Sequence, residues 1–254
     1  MKAYLDTNIY IDLEQNNYSL KQVLNCVNSK IDEVYFSASH LQEAEEILGE
    51  NQNEIDFRIK KRVQTLHKVT NSRYINEDLE NNVWYKIEHP ENVLETIRDV
   101  PGTNEIMKSF TNLISSEQKD EFRKSLGVDS AYLNNYSDKD VVNHLNVKLE
   151  NWGLKQSFLE MIEHSISFHP QASSMGVSNR FAAIFEFLDM IGYWKDKETS
   201  KSNYARFWDS SHAFYAAHCD YFISNDKKTC MKTKVLYTIY QIPTKIVSSS
   251  GKEW

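Results

Sequence analysis

The chain has 254 residues, of which 41% are hydrophobic and 26% charged, with seven Gly and four Pro. That length and balance suit one large domain, or a compact domain carrying an insertion, and exclude a chain dominated by disordered linkers. A formal net charge of −7 argues against a nucleic-acid binder on totals alone, so the placement of charge matters.

Residues 50–200 carry 18 Lys and Arg against 24 Asp and Glu, which leaves the flanks close to neutral. Within the flanks, residues 227–245 hold Lys227, Lys228, Lys232, Lys234 and Lys245 without an acid, a local basic strip. Cys26, Cys219 and Cys230 are odd in number and lack CxxC spacing, which predicts free thiols in a reducing compartment. No apolar run reaches the length of a signal peptide or a membrane span. The expectation is a soluble, cytoplasmic protein with no membrane partner.

In chain order, Ala3-Tyr-Leu5 predicts a short buried strand that runs into Asp6-Thr-Asn8. An acid at the carboxyl end of a strand in an open α/β sheet stands where ligands bind; Asp is equally a preferred helix N-cap. Residues 9–29 then read as a helix with Leu13, Leu20, Val23, Leu24 and Val27 inward. Residues 32–39 supply a β-rich run. Ser39 followed by Gln42 predicts a capping box, and the helix it starts carries Leu41, Ala44, Ile47 and Leu48 and stops near Gly49. Strand, helix, strand, helix within fifty residues predicts a parallel sheet covered by helices.

From residue 50 the readable segments have a helical period: Ile55, Ile59, Val63 and Leu66; Val141, Leu145 and Leu149; Phe181, Ile184, Phe185, Leu188 and Ile191. Pro90 suits a first helical turn, Pro101-Gly102 predicts a break, and Ser137 with Asp140 a helix start. The α/β pattern returns near residue 204 with a helix to about His218. A strand over 219–226 ends on Asp226, a Lys-rich helix follows, and Pro243–Ser248 reads as a closing strand. The two α/β pieces predict one sheet divided in sequence: a core of residues 1–50 plus 203–254, with a helical insertion or subdomain over 51–202.

Four acids take comparable places: Asp6 ends a strand, Glu43 lies in the first turn or so of the helix after the second strand, Asp209 begins a helix and Asp226 ends a strand. If the strands are parallel neighbours, these carboxylates converge at one edge. Carboxylates that share a site repel unless a cation intervenes, and hard oxygen ligands suit Mg²⁺ or Mn²⁺. Such a site activates water against a phosphodiester. Asn8 and Ser224 are placed to support the ligand carboxylates.

Other residues carry weaker signals. His40 and His212 share helix faces with Glu43 and Asp209 and read more simply as packed histidines. Glu45 and Glu46 read as solvated, and Arg58, Lys60, Lys61 and Arg62 as a solvated basic face that could track a phosphate backbone. Trp84, Trp152, Trp194 and Trp208 read as core.

The segments Tyr4-Leu-Asp-Thr-Asn8, Phe36-Ser-Ala-Ser-His-Leu-Gln-Glu43, Asp209-Ser-Ser-His-Ala-Phe-Tyr-Ala-Ala217 and Asp220-Tyr-Phe-Ile-Ser-Asn-Asp226 together resemble the PIN domain family of metal-dependent ribonucleases, which includes bacterial VapC-type toxins. The resemblance covers roughly residues 1–50 and 203–250. It implies a three-layer α/β sandwich with a central parallel sheet, interrupted here by the mostly helical stretch that small PIN toxins lack. It also implies an acidic tetrad of Asp6, Glu43, Asp209 and Asp226, with Thr7 or Asn8 and Ser224 assisting, and hydrolysis of RNA with Mg²⁺ or Mn²⁺ as a toxin or defence-type nuclease. RNA is the expected partner. Single-stranded DNA, an antitoxin or other regulatory protein and a homo-oligomer stay open. The competing readings are a PIN-like module that binds RNA or protein without cleaving, a structure-specific DNA nuclease, and a phosphatase of the haloacid dehalogenase type. The phosphatase would want a second acid at position 8, which is Asn.

Overall fold

The computed structural model describes residues 1–78, 80–99, 115–127, 129–151, 153, 155–167, 176–196 and 200–254. Pro101-Gly102 and Trp152 lie outside the described residues. The chain divides into two compact units, one of Met1–Thr103, Tyr215–Lys227 and Pro243–Trp254, the other of Asn104–Phe214 and Lys228–Ile242.

The first unit is built on a four-stranded parallel sheet. Its strands are β1 (Lys2–Leu5), β2 (Glu33–Tyr35), β5 (Tyr221–Ile223) and β6 (Lys245–Val247); β3 (Arg73–Glu77) and β4 (Val83–Ile87) form a separate antiparallel pair. The order is β2-β1-β5-β6, with Ala3 paired to both Val34 and Tyr221, and Phe222 to Ile246. Buried parallel strands want unbroken apolar runs, and Ala3, Tyr4, Leu5, Phe222 and Ile223 are all fully buried. From β1 the chain crosses to β2 on one side, and from β5 to β6 on the other. The order therefore reverses between β1 and β5, which makes their carboxyl ends the topological switch point where open α/β sheets take ligands.

The helix expected over 9–29 is two helices, α1 (Thr7–Glu14) and α2 (Leu20–Leu24). The break falls at Asn16, whose φ of 60° is a left-handed conformation that Asn tolerates, and Ser19 with Gln22 caps the second helix. The capping box expected at Ser39 sits two residues earlier. Helix α3 (Ala38–Glu45) starts from Ser37, whose N–H donates to His40 Nδ1 at 3.1 Å, and it ends four residues before Gly49.

Residues 51–99 do not stand apart from the sheet. Ile59, Val63, Leu66 and Val69 of α4 (Gln52–Thr70), Tyr74 of β3 and Val93 and Leu94 of α5 (Pro90–Arg98) share one apolar core with Ala3, Leu5, Ile9 and Ile223. The hairpin β3–β4 corrects the helical reading of this stretch. Its Tyr, Ile, Val and Trp residues fit a pleated half-buried surface better than a helix face, and Ile75 N donates to Phe36 O at 2.9 Å, just beyond β2. Pro90 opens α5 as expected.

In the second unit the described helices include α6 (Ser116–Leu126), α7 (Ser130–Leu133), α8 (Asp138–Asn151), α9 (Phe158–Ser167) and α10 (Val177–Met190), with most of α11 (Ser200–Ala216) and α12 (Lys227–Ile239). Ser137 does start α8: Asp140 N donates to its Oγ at 3.2 Å. This unit buries a cluster of ion pairs. Asp189, 4% exposed, meets Arg206 at 2.9 Å, Lys119 at 3.3 Å and Lys232 at 3.5 Å. Lys232 also meets Asp196 at 2.7 Å, and Arg206 meets Glu186 at 2.7 Å. The expected basic strip thus loses its middle member, because Lys232 is 1% exposed and committed to two carboxylates.

Burial pushes the Asp189 carboxyl up, but Lys232, Arg206 and Lys119 outweigh it and hold it below the usual aspartate range. A depressed folded value means that the contribution to stability is complete above the unfolded value of about 3.9 and disappears as pH falls through the folded value. Thermal melts of wild type should therefore lose stability below about pH 4. Asp189→Asn, which leaves three buried cations short of a partner, should cost about 3–5 kcal/mol at neutral pH and flatten that acid slope; an unchanged melting profile would remove Asp189 from the account.

Candidate functional site

The candidate site is the carboxyl edge of the sheet in the first unit. Asp6 directly follows β1, and its N–H still donates to Ile223 O of β5 at 2.9 Å. Its side chain is 4% exposed, and a buried carboxylate must be surrounded by donors. Thr7 N donates to Oδ1 at 2.7 Å, while Asn8 Nδ2 and Ser224 Oγ each donate to Oδ2 at 2.6 Å. Asp6 is accordingly the N-cap of α1 and, at once, an acid held at the sheet edge; the two readings of the sequence describe one geometry.

Ser224 is fully buried and follows β5. Besides donating to Asp6, its hydroxyl accepts from Asn8 Nδ2 and from Asp226 N, both at 3.0 Å. Asp226 is exposed, three residues beyond the end of β5, so one buried hydroxyl joins the loop that carries Asp226 to the Asp6 carboxylate. On the other flank, Thr7 Oγ1 donates to Glu43 Oε2. Glu43 lies in the second turn of α3, later than expected, because that helix begins at Ala38. Asp6, Glu43 and the backbone N–H of Asp226 thus belong to one hydrogen-bonded arrangement, with Thr7 linking Asp6 to Glu43 and Ser224 linking Asp6 to Asp226 N. Asp209, half-buried, does not begin a helix as expected but lies in the middle of α11, which starts at Ser200.

Asn225, between Ser224 and Asp226, bonds on every side. Its N–H donates to Asn8 Oδ1 at 3.1 Å, its Nδ2 to Asp12 Oδ2 at 3.0 Å, and its Oδ1 accepts from Ser249 N and Oγ, both at 3.0 Å. Asp12 shares a face of α1 with Asn8 at i,i+4 spacing and is held by this loop. No signal in the sequence marks Ser249 or Trp254, whose Nε1 donates to Ser224 O at 3.1 Å.

The secondary candidates resolve into structural roles. His40 is fully buried, with Nε2 2.8 Å from Leu5 O and its ring edge-on to Tyr10; His212 is fully buried as well. Arg98 engages Glu45 at 2.7 Å. In the basic run, Lys61 Nζ donates to Glu14 O at 2.7 Å and Arg62, 4% exposed, pairs with Glu14 at 2.5 Å. Both therefore serve the carboxyl end of α1, whose length of roughly 12 Å separates them from Asp6 at the other end. Trp208 is buried, and Trp84 packs edge-on to Tyr74. None of Cys26, Cys219 and Cys230 is in a disulfide, and burial pushes the Cys219 thiol up to about 12, which leaves it unreactive at neutral pH.

Carboxylate oxygens backed by hydroxyl and amide donors are the chemistry that Mg²⁺ or Mn²⁺ takes, using one or two carboxylates with water and phosphate completing the shell. A site of that economy fits Asp6 and Asp226. A closed cage does not: among the described residues, no group of three or more His, Cys, Asp or Glu side chains stands together to hold a metal ion. Among the described residues, too, no helix is long and apolar enough to cross a membrane. Comparison with models of known families, with curated proteins and with solved structures yields no match.

Ser224→Ala should leave the buried Asp6 carboxylate one donor short and cost about 1–3 kcal/mol in chemical denaturation. Asp226→Asn, at an exposed position, should stay within about 0.5 kcal/mol of wild type. Equal effects for the two would contradict the described division of roles.

Proposed function

We propose that the chain is a divalent-metal-dependent endoribonuclease of PIN type that hydrolyses RNA phosphodiester bonds at the carboxyl edge of its parallel sheet. The observation that carries the reading is the buried Asp6 carboxylate at the β1/β5 switch point, bonded through Ser224 to the loop of Asp226 and through Thr7 to Glu43. The resemblance of the four sequence segments to the PIN family supports it further. So do three donors to Asp6, a backbone N–H, an amide and a hydroxyl, which orient its carboxylate.

In this reading Asp6 and Asp226 hold the ion, which when bound lowers the pKa of a water and screens the phosphate. Asn8 and Ser224 hold the Asp6 carboxylate by its Oδ2 at the sheet edge. Thr7 fixes the Glu43 carboxylate, which is the base placed to take a proton from the attacking water. Asp226, exposed beyond β5, meets the substrate side. Asp209 is the fourth acid of the tetrad that the resemblance implies.

Asn is also a good N-cap, so Asp6→Asn should fold. It should lower RNA cleavage on the order of 10²–10⁴-fold, and EDTA should abolish wild-type cleavage until Mg²⁺ or Mn²⁺ is restored. Full activity in the variant, or cleavage that survives EDTA, overturns the mechanism. One observation favours a second reading, a PIN-like module that binds RNA without cutting it: the lack of a three-acid group among the described residues. That reading predicts RNA binding by wild type and Asp6→Asn alike, with no cleavage in either.

A further inference from the structure

The segment after β6, residues 248–254, has no apolar run to anchor it, yet it is folded back against the sheet. Ser248 N donates to Lys252 O at 2.8 Å, Gly251 N to Ser248 O at 2.9 Å and Trp254 N to Ile246 O at 3.1 Å, and Val247 bridges Glu253 antiparallel. Gly251 makes the turn fit. Its φ is +80°, and a Cβ there would stand 2.2 Å from Cys26 O, so a side chain is excluded by conformation and by space alike.

Folded this way, the segment reaches the loop that carries Asp226 at two points. Ser249 saturates Asn225 Oδ1 with two donors, and Trp254 Nε1 donates to Ser224 O. The polarity of the contacts then runs in one direction. With Oδ1 of Asn225 taken by Ser249, its Nδ2 must face Asp12, and its N–H is carried to Asn8 Oδ1. With Oδ1 of Asn8 taken, its Nδ2 must face Asp6 and Ser224. An amide whose oxygen is engaged has only donors left for its other side, so each link orients the next.

We propose that residues 248–254 are a strap that positions the acidic site: Ser249 and Trp254 act through Asn225 and Ser224, and these through Asn8, to set the Asp6 carboxylate and the Asp226 loop for a divalent ion. The inference rests on the nuclease reading and assigns Asn225, Ser249 and Trp254 as positioning residues that touch neither ion nor RNA.

The test uses the full chain, with Mn²⁺ titrated calorimetrically, kcat and KM measured on a single-stranded RNA, and thermal melts as control. Asn225→Ala should weaken Mn²⁺ binding and lower kcat by about 10-fold, the lower end for residues that support metal ligands, with KM unchanged. Ser249→Ala and Trp254→Phe should shift both quantities in the same direction by less, and Ser249→Thr, which keeps the hydroxyl, should restore them. Variants that bind Mn²⁺ and turn over as wild type does, whatever their melting temperature, overturn the strap and leave the nuclease reading standing. A folded wild-type chain that neither binds Mn²⁺ nor cleaves RNA overturns the nuclease reading, and the strap with it.

Discussion

A carboxylate buried at the end of a central strand is the constraint on which the first unit turns. Asp6 is buried at the end of a central strand, and an uncompensated charge there would cost several kcal/mol. Its donors come from its own neighbour Thr7, from the first turn of α1 and from the end of β5, the last of these 218 residues away in sequence. Satisfying Asp6 therefore demands that β5 lie beside β1 in parallel and in register. The same adjacency produces the reversal of strand order that opens the sheet edge to a ligand.

The two units solve the problem of a buried acid in different ways. Asp189 is surrounded by Lys119, Arg206 and Lys232, so its charge is consumed in holding helices together. Asp6 accepts from an amide, a hydroxyl and a backbone N–H, which fix its direction. Buried ion clusters of the first kind resist the removal of any single member; carboxylates of the second kind are suited to an incoming cation.

Much of the fold was legible because its strands and helices are local. The apolar runs at 3–5 and 221–223, the acid that follows each, and the helical stripes of α4, α8 and α10 are properties of a few adjacent residues. The hairpin of β3 and β4 was not legible, since the strand character of Arg73–Glu77 is expressed by pairing with Val83–Ile87 and by the bridge to Phe36. Lys232 was misread for a related reason: a lysine's sequence neighbours do not reveal the carboxylates it meets from residues 189 and 196.

By itself the sequence determined that strands end at Asp6 and near Asp226, that a helix bearing Glu43 follows a second strand, and that the α/β pattern is interrupted and resumes. Periodicity and capping are short-range, so the order of residues suffices for them. Only the tertiary structure decided which partners those acids have: that Thr7 and Ser224 tie Glu43 and the Asp226 loop to Asp6, that Asn225 clamps two turns of α1, and that Ser249 and Trp254 hold Asn225 and Ser224 from behind. Each of those bonds joins residues distant in sequence, and its polarity is set by which side of an amide or hydroxyl is already engaged. That information exists only once the chain has closed on itself.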